Sequence, residues 1–209
     1  MIPLKKISFV LLIIISFLYS CSSLNKVQYE RQYYNLEYPS PRFGDLKPLP
    51  LVIKMEPLNT APIYHTSRIL YRDQSFNIKT YVYHQWRANP GNMVQHFLLR
   101  DLRASGLFKA ILPYSSRSAA SYVLEGSLDE FLEWDGATGW EAVLSLSITL
   151  IKQGERDVQK RIVLQKDYRT LEPCSRKHPL AVVEAMSRAM SRISEQIISD
   201  LYTSLKEEP

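Results

Sequence analysis

This sequence has few of the residues that build catalytic and phosphate-binding loops. Its 209 residues include seven glycines, and none of them falls in a glycine-rich phosphate-binding pattern. The G-x-S-x-G elbow of serine hydrolases is missing, and the four histidines form no H-E-x-x-H pair. The nearest metal-like spacing joins Cys174 and His178, but a zinc site needs three or four ligands. We therefore expect a protein that is not an enzyme and that holds no metal or cofactor.

Charge of one sign is not concentrated anywhere along the chain. The formal net charge is +5, and Lys5 and Lys6 supply two of these charges. A nucleic-acid-binding protein needs a concentrated basic patch or stripe, so nucleic acid is excluded as the expected partner. The apolar fraction of 45% and the charged fraction of 22% are ordinary for a globular protein. The length suits a single domain.

The N-terminus carries an apolar run that is too short to span a membrane. Residues 7–18 read ISFVLLIIISFL, whereas a transmembrane helix needs about 20 apolar residues. A run of this length behind Lys5 and Lys6 predicts a signal peptide. The following residues, Leu18 to Cys21, resemble the lipobox of bacterial lipoproteins, although Tyr19 is bulkier than usual. This resemblance implies cleavage after residue 20 and lipid attachment to Cys21. The alternative is a plain secretory signal with Cys21 free or bonded to Cys174.

The remaining chain predicts a tether and one folded domain. Residues 21–31 are mostly polar and form the tether, and residues 32–209 form the domain. Hydrophobic patterns and turn residues predict strands at residues 33–38, 51–55, 69–71, 76–83, 107–112, 122–128, 142–150 and 161–168. The last three form a meander. Asn89-Pro90 begins a helix that Gly106 ends, and Pro179 begins a longer amphipathic helix. The fold class is therefore α+β, with a mostly antiparallel or mixed sheet and two helices packed on one face.

Two groups of side chains are candidates for a functional surface. The first is aromatic: Tyr81, Tyr83 and Trp86 precede the first helix and predict a contact with a partner, against the alternative of core packing. The second is a set of carboxylates, which we interpret as a solvated strand edge. Its members are Glu125, Asp129, Glu130, Glu133 and Asp135.

Several short motifs, taken in order along the chain, resemble one known family. They are Tyr33 and Leu36 in the first strand, Ile69 to Arg72, Trp86, Leu98 to Leu102, Gly106 to Ile111, Ala120 to Gly126 with Phe131, and Val183 to Ala189. Together with the lipobox they resemble the ABC-type transport auxiliary lipoproteins, which include the paraquat-inducible protein C type. Only Cys21 carries over as a functional position.

The resemblance implies a docking role in a transport system. The partner would be a periplasmic mammalian-cell-entry (MCE) domain protein, and the cargo would be phospholipids or other hydrophobic molecules. Ser22, rather than Asp, follows the lipidated cysteine, which in enterobacterial sorting favours the outer membrane. The sequence also leaves open that the chain assembles into a homo-oligomer. The alternatives are a scaffold lipoprotein of the lipopolysaccharide-assembly type, which would bind a β-barrel, and an envelope hydrolase.

Overall fold

The computed structural model describes residues 29–208, and the chain from Arg31 onward forms one compact unit. The predicted signal peptide, Cys21 and most of the predicted tether lie outside the described residues. The strands are β1 (Gln32–Tyr34), β2 (Leu49–Met55), β3 (Asn59–Thr60), β4 (Arg68–Arg72), β5 (Ile78–Trp86), β6 (Phe108–Pro113), β7 (Tyr122–Asp135), β8 (Trp140–Lys152) and β9 (Ile162–Pro173). The helices are α1 (Pro90–Ala104), the short α2 (Val158–Arg161) and α3 (Pro179–Glu207), with a 3₁₀ turn at Pro62–Tyr64.

The strands form one mixed sheet around β7. Along one side, β7 pairs over its whole length with the antiparallel β8, and β9 follows β8. Along its other side, β7 pairs in turn with the parallel strands β2, β3 and β4. The remaining strands extend the sheet, because β6 pairs with β2, β5 with β4, and β1 with β5. The predicted α+β class, the mixed sheet and the three-stranded meander are confirmed.

This topology corrects the interpretation of the acidic residues as a solvated strand edge. All five lie on β7, which has neighbours on both sides and is the central strand of the sheet. Glu125 and Asp129 are exposed, but Glu133 is fully buried. The sequence alone could not reveal this, because β7 continues for seven residues beyond the predicted end at Leu128.

One face of the sheet forms the core. Alternate residues of β8 on this face are fully buried, beginning with Ala142 and ending with Leu150, as the period-two pattern predicted. Both long helices contribute to the same hydrophobic cluster, and α3 packs along β8 and β9. The opposite face of β8 carries Ser145, Ser147 and Thr149, which are half-buried. The burial of one face and the polarity of the other explain the alternation in sequence.

Local capping chemistry sets the helix ends. The Asn89 side chain accepts a hydrogen bond from the backbone N–H of Asn92, and Pro90 occupies the first turn of α1. Gly106 follows with a φ of 66°, a conformation that glycine adopts without steric cost. At α3, the His178 ring accepts from the backbone N–H of Leu180. The predicted starts of both helices are therefore observed.

The segment after β1 is fastened to the helices by a buried carboxylate. Asp101 on α1 is 0% exposed and accepts hydrogen bonds from Tyr38, Ser40 and Ser194, each at 2.7 Å. The Arg100 guanidinium lies 2.7 Å from the same carboxylate. These contacts join α1, α3 and the incoming chain. The extended segment is consequently held by side chains beyond Tyr34, where the structure ends the strand that was predicted to reach residue 38.

Candidate functional site

The structure separates the three residues that were predicted to form a contact surface. Trp86 is 1% exposed, and its ring packs edge-on against Phe131 with a centroid distance of 5.2 Å, so it is a core residue. Tyr81 is half-buried, whereas Tyr83 is exposed. Cys21, the predicted lipidation site, lies outside the described residues. Of the three aromatic residues predicted to form the contact surface, Tyr83 is thus the most accessible.

An irregularity in β5 explains why alternation failed to predict these positions. Leu70 pairs with Thr80 and Arg68 pairs with Gln85, so two steps along β4 correspond to five steps along β5. The three extra residues form a bulge that breaks the regular alternation of faces. As a result, the rings of Tyr81 and His84 lie 6.0 Å apart.

Cross-strand register brings a buried carboxylate to this bulge. Tyr71, Glu133, Ala142 and Glu172 pair consecutively across β4, β7, β8 and β9, and paired residues point to the same face of a sheet. The Tyr81 hydroxyl donates to both carboxylate oxygens of Glu133, at 2.9 and 3.1 Å. Glu133 therefore lies on the helix-covered face of the sheet and has a phenol as hydrogen-bond partner.

Burial governs the ionisation of Glu133. Removal from water raises the pKa of its carboxyl to about 7, and the negative charge of Asp135 adds to the shift. The hydrogen bond from Tyr81 acts in the opposite direction. Burial, followed by the charge of Glu133, also raises the pKa of the Tyr81 hydroxyl. The protonation of the Glu133 carboxyl therefore changes close to neutral pH, whereas the Tyr81 hydroxyl stays protonated there.

Two histidines border the same region. The Tyr34 hydroxyl lies 2.9 Å from Nδ1 of His84, and the His84 ring lies 6.1 Å from the ring of His178. Burial, and then the charge of His178, lowers the pKa of His84. We define the Glu133 cluster as Glu133 with the surrounding rings of Tyr34, Tyr71, Tyr81, His84, Trp140 and His178.

Cys174 adjoins this cluster but lacks the properties of a nucleophile. It is a free, half-buried thiol whose backbone N–H donates to the carbonyl of Trp140. Burial, and then the charge of Glu133, raises the pKa of the thiol to about 11. A nucleophilic cysteine requires a thiolate at neutral pH. The geometry here favours the protonated thiol.

A cleft lies between the N-terminal segment and α3. It has a volume of about 620 Å³ and is lined by residues 33–38 and by side chains of α3 that include Leu180, Glu184 and Arg188. The backbone N–H of Glu37 donates to the Ser187 hydroxyl across one side of this cleft. Arg188 also bonds the carbonyl of Pro173 at 2.7 Å, so its guanidinium is already engaged. The cleft is open to solvent and lined by both polar and apolar groups, which suits a protein contact better than an enclosed small molecule.

From the sequence, Glu133 was considered as one of five acids and the histidines as metal ligands, so Glu133, His84 and His178 were not predicted to lie near one another. His84 and His178 are 94 positions apart, and the histidines were considered only as metal ligands at helical spacing. Within residues 29–208, no group of three or more histidine, cysteine, aspartate or glutamate side chains is placed to hold a metal. The helices of the same part of the chain include none that is long and apolar enough to cross a bilayer.

Comparison with known proteins gives one family and several structures. The family described as ABC-type transport auxiliary lipoprotein component matches residues 34–198. None of the curated protein sequences matches this chain.

The solved structures resemble the chain in fold at low identity. Protein XCC0632 from Xanthomonas campestris, of family DUF330, has a TM-score of 0.75 at 15% identity and covers 84% of this chain and 98% of its own. An uncharacterized protein has a TM-score of 0.63 at 12% identity and covers 82% of this chain and 99% of its own. The hypothetical protein CT253 from Chlamydia trachomatis has a TM-score of 0.52 at 10% identity and covers 74% of this chain and 96% of its own. The shared feature is therefore the fold.

Proposed function

Because this chain belongs to the ABC-type transport auxiliary lipoprotein family, we propose that it is the lipid-anchored docking component of an MCE-associated transport system. The anchor is the acylated Cys21, and the domain faces the periplasm from the outer membrane. The system moves phospholipids or other hydrophobic molecules. The observation that carries this proposal is the family match over residues 34–198, which begins shortly after a lipobox-like sequence.

The proposed role is binding rather than catalysis. A lipid anchor confines the domain to one surface and so raises its effective concentration for a partner at the same membrane. The Glu133 cluster contains one acid with a phenolic donor, and the neighbouring Cys174 thiol is protonated at neutral pH. These groups support a structural or contact function. The family membership supports the same interpretation.

The partner-contact surface requires revision in the light of the structure. Trp86 packs in the core, and Tyr81 is engaged with Glu133, so neither supplies an open surface. Val82 and Tyr83 lie between Tyr81 and Trp86 in the sequence of β5, and they are 67% and 40% exposed, respectively. We assign the contact to these two residues of β5. Tyrosine is enriched among the residues that contribute most to binding at protein interfaces, and the exposed Val82 beside it adds apolar surface.

The anchor is tested by mass spectrometry of the protein isolated from membranes. We expect the mature chain to begin at an acylated Cys21, and we expect Cys21→Ser to be released from membranes. An unmodified thiol at this position, in protein recovered free from the periplasm, would contradict the proposal.

The partner is tested by photo-crosslinking in cells. A photoreactive residue at Val82 is compared with one at Val158, because these valines are 67% and 66% exposed and lie on different elements. We expect the Val82 position to capture an MCE-domain protein and the Val158 position not to. Capture of a β-barrel protein instead would favour the outer-membrane assembly scaffold.

A further inference from the structure

The β4–β5 hairpin ends in a fully exposed aromatic side chain. Phe76 lies in the turn between Arg72 and Ile78 and has no covered surface, and Ile78 beside it is 40% exposed. The turn itself is held by Asp73, which accepts from the backbone N–H of Ser75 and pairs with Lys79 at 2.7 Å. Phe76 and Ile78 together expose an apolar surface that a partner or a bilayer could cover.

Strand register shows which other segments lie at this end of the sheet. Arg72, the last residue of β4, pairs with Trp134 near the end of β7, and Asp135 pairs with Trp140 at the start of β8. Pro173, the last residue of β9, pairs with Glu141. The hairpin turn, the β7–β8 turn and the β9–α3 connection therefore share one end of the sheet. We call it the hairpin end.

The chain also enters the domain from the hairpin end. β1 is parallel to β5, with Gln32 beside His84 and Tyr34 beside Trp86. Since β5 begins at the hairpin turn and runs away from it, the N-terminal end of β1 points back toward that turn. Eleven peptide units join Cys21 to Gln32, which limits their separation to about 40 Å when fully extended. This span is long enough for a bilayer that carries an anchor at Cys21 to reach the hairpin end.

The composition of the hairpin end suits a bilayer surface. Trp134 and Trp140 lie there half-buried, the first under the Arg72 guanidinium and the second against the Tyr81 ring, so the apolar surface that this end exposes comes from Phe76 and Ile78. Arg176 and Lys177 in the β9–α3 connection are exposed and basic, and Lys177 lies 3.9 Å from the carboxylate of Asp135. The acid of the hairpin turn, Asp73, is already neutralised by Lys79. Exposed apolar residues next to basic ones match the chemistry of lipid headgroups above an acyl layer.

We propose that the hairpin end is a second membrane contact, in which Phe76 inserts its ring into the bilayer that carries the Cys21 anchor. This proposal rests on the proposed lipid anchor. The occupant is a phospholipid surface that includes anionic lipid. The contact fixes the orientation of the domain, so that Val82 and the rest of β5 face the periplasm at a defined height.

The test uses the acylated protein in vesicles of phosphatidylethanolamine and phosphatidylglycerol. In a Cys174→Ser background, Phe76→Cys is labelled with an environment-sensitive fluorophore, and Val158→Cys serves as the matched exposed position outside the hairpin end. With quenchers attached to the acyl chains, we expect fluorescence at position 76 to fall at least about twofold and that at position 158 to change little.

The possible failures are distinguishable. If the protein floats with the vesicles but position 76 is not quenched, the hairpin contact is overturned while the lipid anchor stands. If the acylated protein does not float with the vesicles, both proposals fail. If position 76 is unquenched and a photoreactive residue there captures a protein in cells, the hairpin is a protein contact instead.

Discussion

Two buried acids of this domain have very different surroundings. Asp101, between the helices and the N-terminal segment, is contacted by donors from Tyr38, Ser40, Arg100 and Ser194. Glu133, under the β5 bulge, receives a hydrogen bond from Tyr81 alone among the residues that the structure describes. Both residues are 0% exposed.

The number of hydrogen-bond donors around each carboxylate indicates the structural role of its region. A buried carboxylate that is fully hydrogen-bonded holds several segments in one arrangement, because losing it leaves many polar groups without partners. A buried carboxylate with one neutral donor is close to the point at which it takes up a proton. We call Asp101 with its donors Tyr38, Ser40, Arg100 and Ser194 the Asp101 junction, which holds the two long helices and the N-terminal segment in one arrangement. In the Glu133 cluster, by contrast, the charge of the carboxyl depends on pH.

The largest expected effect comes from breaking the Asp101 junction. Asp101→Ala leaves the buried Ser194 hydroxyl and the Tyr38 hydroxyl without their acceptor, and we expect a loss of about 3 kcal/mol in the free energy of unfolding. Urea denaturation measures it. The control is Asp129→Ala, which removes an exposed acceptor of Ser127 and Ser147 and should cost about 0.5 kcal/mol. Equal losses would contradict the assignment of the junction.

The Glu133 cluster should make stability depend on pH. Its folded pKa of about 7 lies above the ordinary 4.5, so the folded protein binds this proton more tightly than the unfolded chain. The resulting stability is complete below pH 4.5 and is lost as the pH rises through about 7, by roughly 3 kcal/mol. Glu133→Gln should flatten this part of the profile. The exposed Glu125→Gln on the same strand should not, and a profile unchanged by Glu133→Gln would refute the account.

Tyr81→Phe should increase the difference between the two buried acids, because it removes the hydrogen-bond donor to Glu133. Because the Tyr81 hydrogen bond lowers the pKa of Glu133, its loss should move that pKa above about 7. The decline of stability with pH would then extend to a higher pH, with an overall cost of about 1 kcal/mol. Thermal unfolding across the pH series measures both quantities. A downward shift of the pH window would be inconsistent with the hydrogen bond described here.

The smallest effect is expected at an exposed ion pair. Arg169 and Glu130 lie 2.6 Å apart on solvated strands, and their side chains are 49% and 27% exposed. Arg169→Gln should change the free energy of unfolding by at most about 0.5 kcal/mol, and less in high salt. Chemical denaturation at two salt concentrations provides the measurement. A loss comparable to that of Asp101→Ala would remove the distinction between buried and exposed acids.

Most secondary structure followed from local chemistry. Asn89-Pro90, Gly106 and Pro179 set helix boundaries through capping and backbone conformation, which depend on neighbouring residues alone. The alternation in β8 reflects burial of one face, and this requires no knowledge of the partner strands. Several strand ends were less exact: β1 ends at Tyr34 instead of residue 38, and β7 continues to Asp135 beyond the predicted end at Leu128.

The candidate site was far less predictable. Glu133 was one of five acids with similar sequence surroundings, and its burial depends on the pairing of β7 with β4 and β8. Tyr81 reaches it because β5 bulges where β4 does not. Trp86 illustrates the same difficulty, since an aromatic residue at a strand end is suitable for a surface or for a core. Only the position of Phe131 decides between these alternatives.

By itself, the sequence determined the apolar run at residues 7–18, the lipobox-like pattern that ends at Cys21, the α+β class and the starts of both long helices, because these depend on composition and on contacts between near neighbours in the chain. The tertiary structure alone decided that Glu133 is buried, that Trp86 is inaccessible and that Phe76 shares one end of the sheet with the β7–β8 turn. These properties arise from register between strands distant in sequence, and a shift of one residue would turn the side chains of Glu133 and Trp86 to the other face.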